Sequence, residues 1–490
     1  MDRIDSAVTP PAAAEESATR RMSWLALGAV VIVATVLRLH AIAATSLWLD
    51  EGISWQQAST NFAAVIRAMA ADVHPPLHTS ILHAVILGFG DCEAVLRLPS
   101  AVLGIAAVAA TFWVGSLIGG RTVGLLSAAF LCLSGFHLHY SQEARPYALL
   151  SLTATLFAGA TIQALETNRR KWHAASSATA LLLLYSHNYG LLLWLSLSVA
   201  IIASAKICRD PDEKVLTRWV GWQAVAVLLF LPWAVILWGQ FGHIETAGFW
   251  IQRPDAAFMV DLVENLASGG VMALALFAAA ALALAPASRR PVAPAEIPFA
   301  SQGHVTLRRL FLLAWLFGPL LLALIASLTS QPILIPKYLI GSLPAWLILA
   351  SMGFARLDRM WGRWVAAVAI LGAIVNLWFY EPVRHEDARA IAAAYLERAQ
   401  PAECVFIFRP YGAIAVEYYL RNPPACFLRA NASTDIKPWA FAPARAWLFL
   451  GYVSAEDRRH VDENLKAHGW QKRAVVSDPS VSLLVLEPTK

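Results

Sequence analysis

Two adjacent carboxylates, Asp50 and Glu51, follow a strongly apolar run in the stretch SLWLDEGISWQQAS at residues 46–59. Other titratable or cationic residues stand in similar positions at the ends of apolar runs: His74, Glu143 and Arg145, His187, and Lys337. Three of them share a further feature. His74 precedes Pro75-Pro76, Arg145 precedes Pro146, and Lys337 follows Pro336, each at the start of an apolar helical pattern. Proline is favoured at the first helical position, where its missing N–H costs nothing. Helix N-termini present free N–H groups and a partial positive charge, an arrangement that binds phosphate. Arg145 and Lys337 add full charges at two such ends, so the spacing points to a phosphate held near the membrane surface. The plainer alternative is that proline only marks helix starts and that each charged group is solvated.

Carboxylates near a lipid-borne phosphate suggest transfer of the group that the phosphate carries. In glycosyl transfer with inversion, a carboxylate takes the proton from the acceptor hydroxyl as it attacks the anomeric carbon, and cations stabilise the departing phosphate. Asp50 suits the base. Trp48 and Trp55 offer aromatic faces for a sugar and an environment that raises a carboxylate pKa. Glu51 or Glu143 is placed to orient the acceptor or to hold a divalent cation, and His187, ending a span on the same face, is a further acceptor or metal candidate. His137 and His139 read as interfacial caps, since two histidines at that spacing do not make a metal site. The stretch 240–250 is assigned to the acceptor side by position alone.

The elements that must carry these residues are membrane helices. The chain has 490 residues, 58% hydrophobic and 14% charged, against about a quarter charged in soluble domains. The net charge of +5 arises from Lys and Arg in short loops between apolar runs, which reads as topology and not as a nucleic-acid surface. Basic clusters at Arg20-Arg21, Arg169 to Lys171, Lys206 to Arg218 and Arg356 to Arg363 put those loops in the cytoplasm by the positive-inside rule. All the residues above then fall on the opposite face. That parity requires the run at 74–90, too short to span, to be interfacial or re-entrant. About eleven spans remain, at about 23–42, 95–117, 122–139, 147–166, 172–187, 189–206, 217–238, 270–286, 309–328, 338–354 and 363–380. The expected division is a disordered cytoplasmic N-terminus (1–22), a transmembrane catalytic domain (23–380) with a first extracytoplasmic loop at 43–94, and an extracytoplasmic α/β domain (381–490). In the last, the pattern runs helix 386–399, strand CVFIF, helix 412–421, strand AWLFLGY, helix 455–468 and strands RAVVS and VSLLVLE, with no glycine-rich nucleotide fingerprint. Of five cysteines none has metal-ligand spacing; Cys404 and Cys426 share this domain and a disulfide between them is open.

SLWLDEGIS, HPPLH, LRLPS at 96–100, HYSQEARPYALLSL, PKYLIGSLPAW and EDARAIAAAYL, in that order, resemble the family 39-type, protein O-mannosyltransferase-like bacterial glycosyltransferases of the GT-C superfamily. The resemblance covers most of the chain. It implies a bacterial inner-membrane enzyme that takes a monosaccharide from a polyprenyl-phosphate carrier on the periplasmic side. By the same resemblance Asp50 is the catalytic aspartate of the first loop and Glu51 its acidic neighbour; Glu143 and Arg145 match the second-loop pair. Lys337-Tyr338 falls where the family has Arg-Tyr, and His74, from its place before Pro75-Pro76, is counted with Arg145, Lys337 and Tyr338 as phosphate-binding. Lysine there keeps the charge but loses the bidentate fork of arginine.

The expected acceptor is an envelope glycolipid or polysaccharide, with a protein acceptor as an alternative within the class. A transporter for an anionic solute or lipid-linked intermediate is the rival from another class, but it would place polar residues near the bilayer midplane and show repeated halves. No internal repeat is visible. The sugar, the acceptor, metal dependence and the oligomeric state are not legible in one sequence.

Overall fold

The structure, a computed structural model, describes residues 11–209, 211–247, 251, 253–267, 270–285, 302–357, 359–378, 385–400, 403–421, 426–441, 445–477 and 481–489. The end of the 240–250 stretch, its side chains from 241 onward, and residues 1–10 lie outside that description. The helices run α1 (Pro11–Leu39), α2 (Leu49–Ala58), α3 (Phe62–Ala71), α4 (Leu77–Phe89), α5 (Glu93–Gly119), α6 (Arg121–Leu133), α7 (Gly135–Ser141), α8 (Tyr147–Thr167), α9 (Arg170–Ser186) and α10 (Tyr189–Cys208). They continue with α11 (Glu213–Ala247), α12 (Ala256–Ala267), α13 (Gly270–Leu284), α14 (Gln302–Thr329), a 3-10 turn at Pro336–Ser342, α15 (Leu343–Arg356) and α16 (Arg359–Trp378). Then follow α17 (Ala388–Arg398), β1 (Cys404–Phe408), α18 (Ile414–Leu420), β2 (Phe427–Ala430), α19 (Pro438–Phe441), β3 (Ala446–Gly451), α20 (Ala455–Ala467), β4 (Trp470–Ser477) and β5 (Val481–Pro488).

This is an α-helical multi-pass membrane protein with a small α/β part. All eleven expected spans fall on helices, yet among the described residues only seven are long and apolar enough to cross a bilayer, or eight with the pair α6–α7, bent by 64°. α9, α13 and α16 make up the difference: α9 has 17 residues and opens on Arg170 and Lys171, and the described apolar stretches of α13 and α16 are Ala275–Leu284 and Gly362–Trp378. α4, with 13 residues, rises about 20 Å at 1.5 Å per residue and cannot cross a hydrocarbon core of about 30 Å.

The described chain forms two compact units. The first comprises residues up to 40, 66–78 and 98–380. Its interior helix is α8, apolar around its whole circumference and buried along almost its full length, as expected of a helix enclosed by others. α1 is the opposite case, with only 17% of its apolar window covered. Small residues set the closest approaches. A Cβ at Gly353 of α15 would lie 1.7 Å from the Ala279 carbonyl oxygen of α13. Polar groups are tied off internally. Arg38, fully buried at the end of α1, directs its guanidinium to the Leu131 and Cys132 carbonyls at the end of α6 and to His137 Nδ1, 2.9 Å away. Those carbonyls have no partner within their own helix.

The second unit comprises 41–65, 79–97 and 381 onward. Its sheet has the order β2-β1-β3-β5-β4, parallel from β2 to β3 and antiparallel beyond. β1 and β3 are buried at every residue, which is why both read as continuous apolar runs. Cys404 at the start of β1 is joined to Cys426 by a disulfide. The first loop packs in the same unit. Gly52 of α2 lies against the backbone of Ala415 in α18, where a Cβ would approach to 2.9 Å. The Leu47 N–H donates to the Tyr419 hydroxyl at 2.8 Å, and the Tyr418 hydroxyl donates to the Asp91 carbonyl.

Gly353→Val should force α13 and α15 apart and lower the midpoint of thermal unfolding in detergent by several degrees, whereas Gly28→Val, where no atom beyond the helix's own backbone lies within 4 Å of the added Cβ, should leave it in place.

Candidate active site

The residues singled out in the sequence divide between the two units. His74, Glu143, Arg145, His187, Lys337 and Tyr338 belong to the first, and Trp48, Asp50, Glu51 and Trp55 to the second.

In the first unit, helices begin at Leu77, Tyr147, Tyr189 and Pro336, and the chemistry gathers at those beginnings. Pro336 occupies the first turn of its 3-10 helix, and Pro146 is the N-cap of α8, one position earlier than the sequence suggested. Arg145, 8% exposed, is anchored by its own carbonyl, which accepts the Ser100 hydroxyl at 3.2 Å. The segment with Lys337 is held from three sides. Ser327 Oγ accepts the N–H groups of Ile333 and Leu334, the Tyr189 hydroxyl donates to the Ile333 carbonyl at 2.7 Å, and Trp315 Nε1 donates to the Gly341 carbonyl at 2.8 Å. Lys337 Nζ lies 5.4 Å from the Tyr147 ring and 6.0 Å from that of Tyr338, within cation–π range. Asn188 donates to the Val73 carbonyl at 2.6 Å and so fixes the approach to His74.

His187 stands among them, its ring 4.8 Å from Tyr338 and 5.6 Å from His74. Burial first, then the charges of His74, Arg145 and Lys337, hold its imidazole well below the usual range. The same forces act on His78: burial, then Arg145 and His74, lower it to about 3. Arg145 and His74 thus bear on both histidines. His78 was visible only as the last letter of HPPLH. Glu143 pairs with His139, Oε1 to Nε2, at 3.0 Å.

In the second unit, Asp50 and Glu51 occupy the first turn of α2, where acidic residues are favoured by the helix dipole. Successive residues point about 100° apart on a helix, so the two carboxylates diverge. Glu51 turns inward. It is fully buried and takes Arg97 in a bidentate pair, Nε to Oε1 at 2.7 Å and Nη2 to Oε2 at 2.6 Å. The other three donors of Arg97 reach the carbonyls of Ile42, Thr45 and Ser46, all at 2.9 Å. A guanidinium has five N–H donors, and all are used. Glu51 thereby positions the turn before Asp50. Arg97 carries that turn and was legible only as a letter of LRLPS. The Leu49 N–H donates to Glu386 Oε1 at 2.7 Å, and Tyr452 donates to the other oxygen. Burial raises the Glu386 carboxyl above the ordinary range. Trp48 stacks on His385 at 3.8 Å, which occupies one face of a proposed sugar platform. Trp55 is tied into packing, donating Nε1 to Asp91 and meeting Tyr418 edge-on at 5.1 Å.

No known family profile matches the sequence, and no curated protein does. Solved structures do match. ArnT from Cupriavidus metallidurans in the apo state aligns with a TM-score of 0.63 at 15% identity, over 95% of this chain and 98% of that one. The same protein bound to undecaprenyl phosphate gives 0.60 at 16%, over 94% and 98%. The archaeal oligosaccharyltransferase AglB from Archaeoglobus fulgidus, in complex with an inhibitory peptide and a dolichol-phosphate, gives 0.52 at 10%, over 88% and 69%. The chain shares the fold of these proteins.

Arg97→Ala leaves a buried carboxylate and three carbonyls without their donor, and should cost about 3–5 kcal/mol in denaturant unfolding; Arg97→Lys should recover only part. A second outcome concerns pH. The unfolded chain binds a proton at His78 near 6.5, the folded chain only near 3. The unfolded state thus holds more protons between those values, and stability falls as pH drops. Lowering the pH from 6.5 to 5 should cost wild type about 2 kcal/mol more than His78→Gln.

Proposed function

We propose that the protein is an inverting glycosyltransferase that moves a monosaccharide from a polyprenyl-phosphate carrier to a cell-envelope acceptor, a glycolipid or polysaccharide, at the periplasmic side of a bacterial inner membrane. The carrying observation is the gathering of Arg145, Lys337 and His74 around buried His187 at the beginnings of three helices and a 3-10 turn, in a fold whose ArnT neighbour was solved with undecaprenyl phosphate. Four backbone N-termini with two permanent cations suit a phosphate better than any neutral ligand.

In this reaction the acceptor hydroxyl attacks the anomeric carbon from the face opposite the phosphate. The new C–O bond forms as the bond from carbon to the phosphate oxygen breaks, and the electron pair stays on the phosphate. The hydroxyl proton goes to Asp50. Glu51, held by Arg97, keeps Asp50 in place on the first turn of α2. Arg145 and Lys337 stabilise the charge that grows on the leaving phosphate from one negative charge toward two, with Tyr338 and His74 shaping its surroundings. A divalent cation fits Glu51 poorly, because both oxygens are on Arg97. Glu143, beside His139, has the donor set for one, or it orients the acceptor. Trp48 is the better placed of the two sugar-stacking candidates, since Trp55 is engaged by Asp91 and Tyr418.

Mass spectrometry of envelope lipids and glycans from cells lacking the protein should show one sugar residue missing and identify the donor to prepare. With that labelled polyprenyl-phosphate sugar and membranes as acceptor, Asp50→Asn should reduce transfer about 10²–10⁴-fold while still binding polyprenyl phosphate. Arg145→Ala should lose both transfer and lipid binding. Label that crosses vesicles without covalent transfer would instead establish a transporter.

A further inference from the structure

His187 carries a hydrogen-bond assignment that goes further than its position. It follows the last residue of α9 and precedes the first turn of α10, and its Nδ1 accepts the backbone N–H of Tyr189 at 3.1 Å. An accepting nitrogen holds a lone pair, so the ring proton of the neutral imidazole sits on Nε2. That Nε2–H is buried, in a residue 3% exposed, and has no hydrogen-bond partner among the described residues. Burying a donor without an acceptor costs free energy that a folded chain normally avoids. Its surroundings are electropositive and aromatic: His74, Arg145 and Lys337 bear on it, with His74 next to Asp72, and the rings of Tyr147, Tyr189 and Tyr338 lie within 6.0 Å. Such a pocket disfavours an imidazolium and favours an anion that accepts a hydrogen bond.

We infer that His187 is a neutral hydrogen-bond donor to the carrier phosphate, giving Nε2–H to a non-bridging phosphate oxygen and keeping its proton throughout transfer. This rests on the polyprenyl-phosphate reading above and refines it. It replaces the metal role considered from sequence, because the lone pair on Nδ1 already serves the Tyr189 N–H and Nε2 carries hydrogen; a cation at either nitrogen would have to displace one or the other. The chemical advantage lies in the change of charge during the reaction. The donor is a phosphodiester with one negative charge, and the released lipid phosphate approaches two. A neutral donor strengthens its bond as that charge grows and gives up no proton. A third full cation beside Arg145 and Lys337 would instead hold the product tightly and slow its release.

The experiment uses the full chain in nanodiscs with ¹⁵N-labelled histidine, and His187→Gln identifies the signal. Without lipid, the ring should show the neutral Nε2–H tautomer from about pH 5.5 to 8. With undecaprenyl phosphate it should remain neutral while the Nε2 proton moves downfield. Affinity for undecaprenyl phosphate should fall about tenfold in His187→Phe, the size expected for one hydrogen bond to a charged group, and largely return in His187→Gln, whose amide can still both accept and donate. An imidazolium signal on lipid binding would overturn the inference and leave the carrier reading intact. So would affinity that rises as pH falls in wild type but not in His187→Gln, or a metal-bound Nε2 signal on adding Zn²⁺. Failure of wild type to bind undecaprenyl phosphate, with the lipid-free tautomer as expected, would mean that the carrier reading itself has failed and this inference with it.

Discussion

A helix that stops beside a membrane span leaves backbone groups that water cannot readily reach, and much of this fold is an answer to that constraint. Arg38 meets the last carbonyls of α6 where the span bends into α7. Ser327 takes two N–H groups ahead of the 3-10 turn, and His187 takes one at the start of α10. Arg97 gathers three carbonyls of the segment that leads into α2. Each device satisfies the backbone and, by the same bonds, fixes a neighbour that can do chemistry: Lys337 three residues after Leu334, and Asp50 four residues after Ser46.

The charged residues of the two units are used in different ways. In the first, positive groups stand at helix beginnings, where the local dipole adds to their positive potential. In the second, carboxylates are mostly consumed by arginines and hydroxyls: Glu51 by Arg97, Glu93 by Arg389, Asp91 by Arg421, and Glu386 by Tyr452 and a backbone N–H. A buried bidentate pair in which each carboxylate oxygen accepts one bond and every guanidinium proton is used offsets much of the usual penalty for burying charge. The price of that arrangement is rigidity in the turn that leads into α2.

Helix existence, the proline-marked starts and most of the α/β alternation were legible because they are local patterns of period and punctuation. Where the sequence misleads, the missing information is tertiary. β2 at Phe427–Ala430 is four residues long with an exposed Arg429, too short to show a period, and exists because its backbone pairs with β1. The pairing of Glu51 with Arg97 spans 46 residues, and nothing near either one marks it. Trp55 advertises a sugar face by type alone, while its actual use depends on Asp91 and Tyr418, distant in the chain. His78 looked like a motif letter, and only its burial beside Arg145 shows its electrostatic burden.

The bond between Cys404 and Cys426 ties the maturation of the second unit to an electron acceptor. It closes a ring across a sequence separation of 22 residues, and in the chain-entropy description such a closure removes roughly 3 kcal/mol of freedom from the unfolded polypeptide. A newly made chain in a reducing environment lacks that assistance while β1 and β2 are still finding each other. The first-loop helix bearing Asp50 shares a unit with those strands, so thiol oxidation bears on the unit that holds that helix as well as on the sheet.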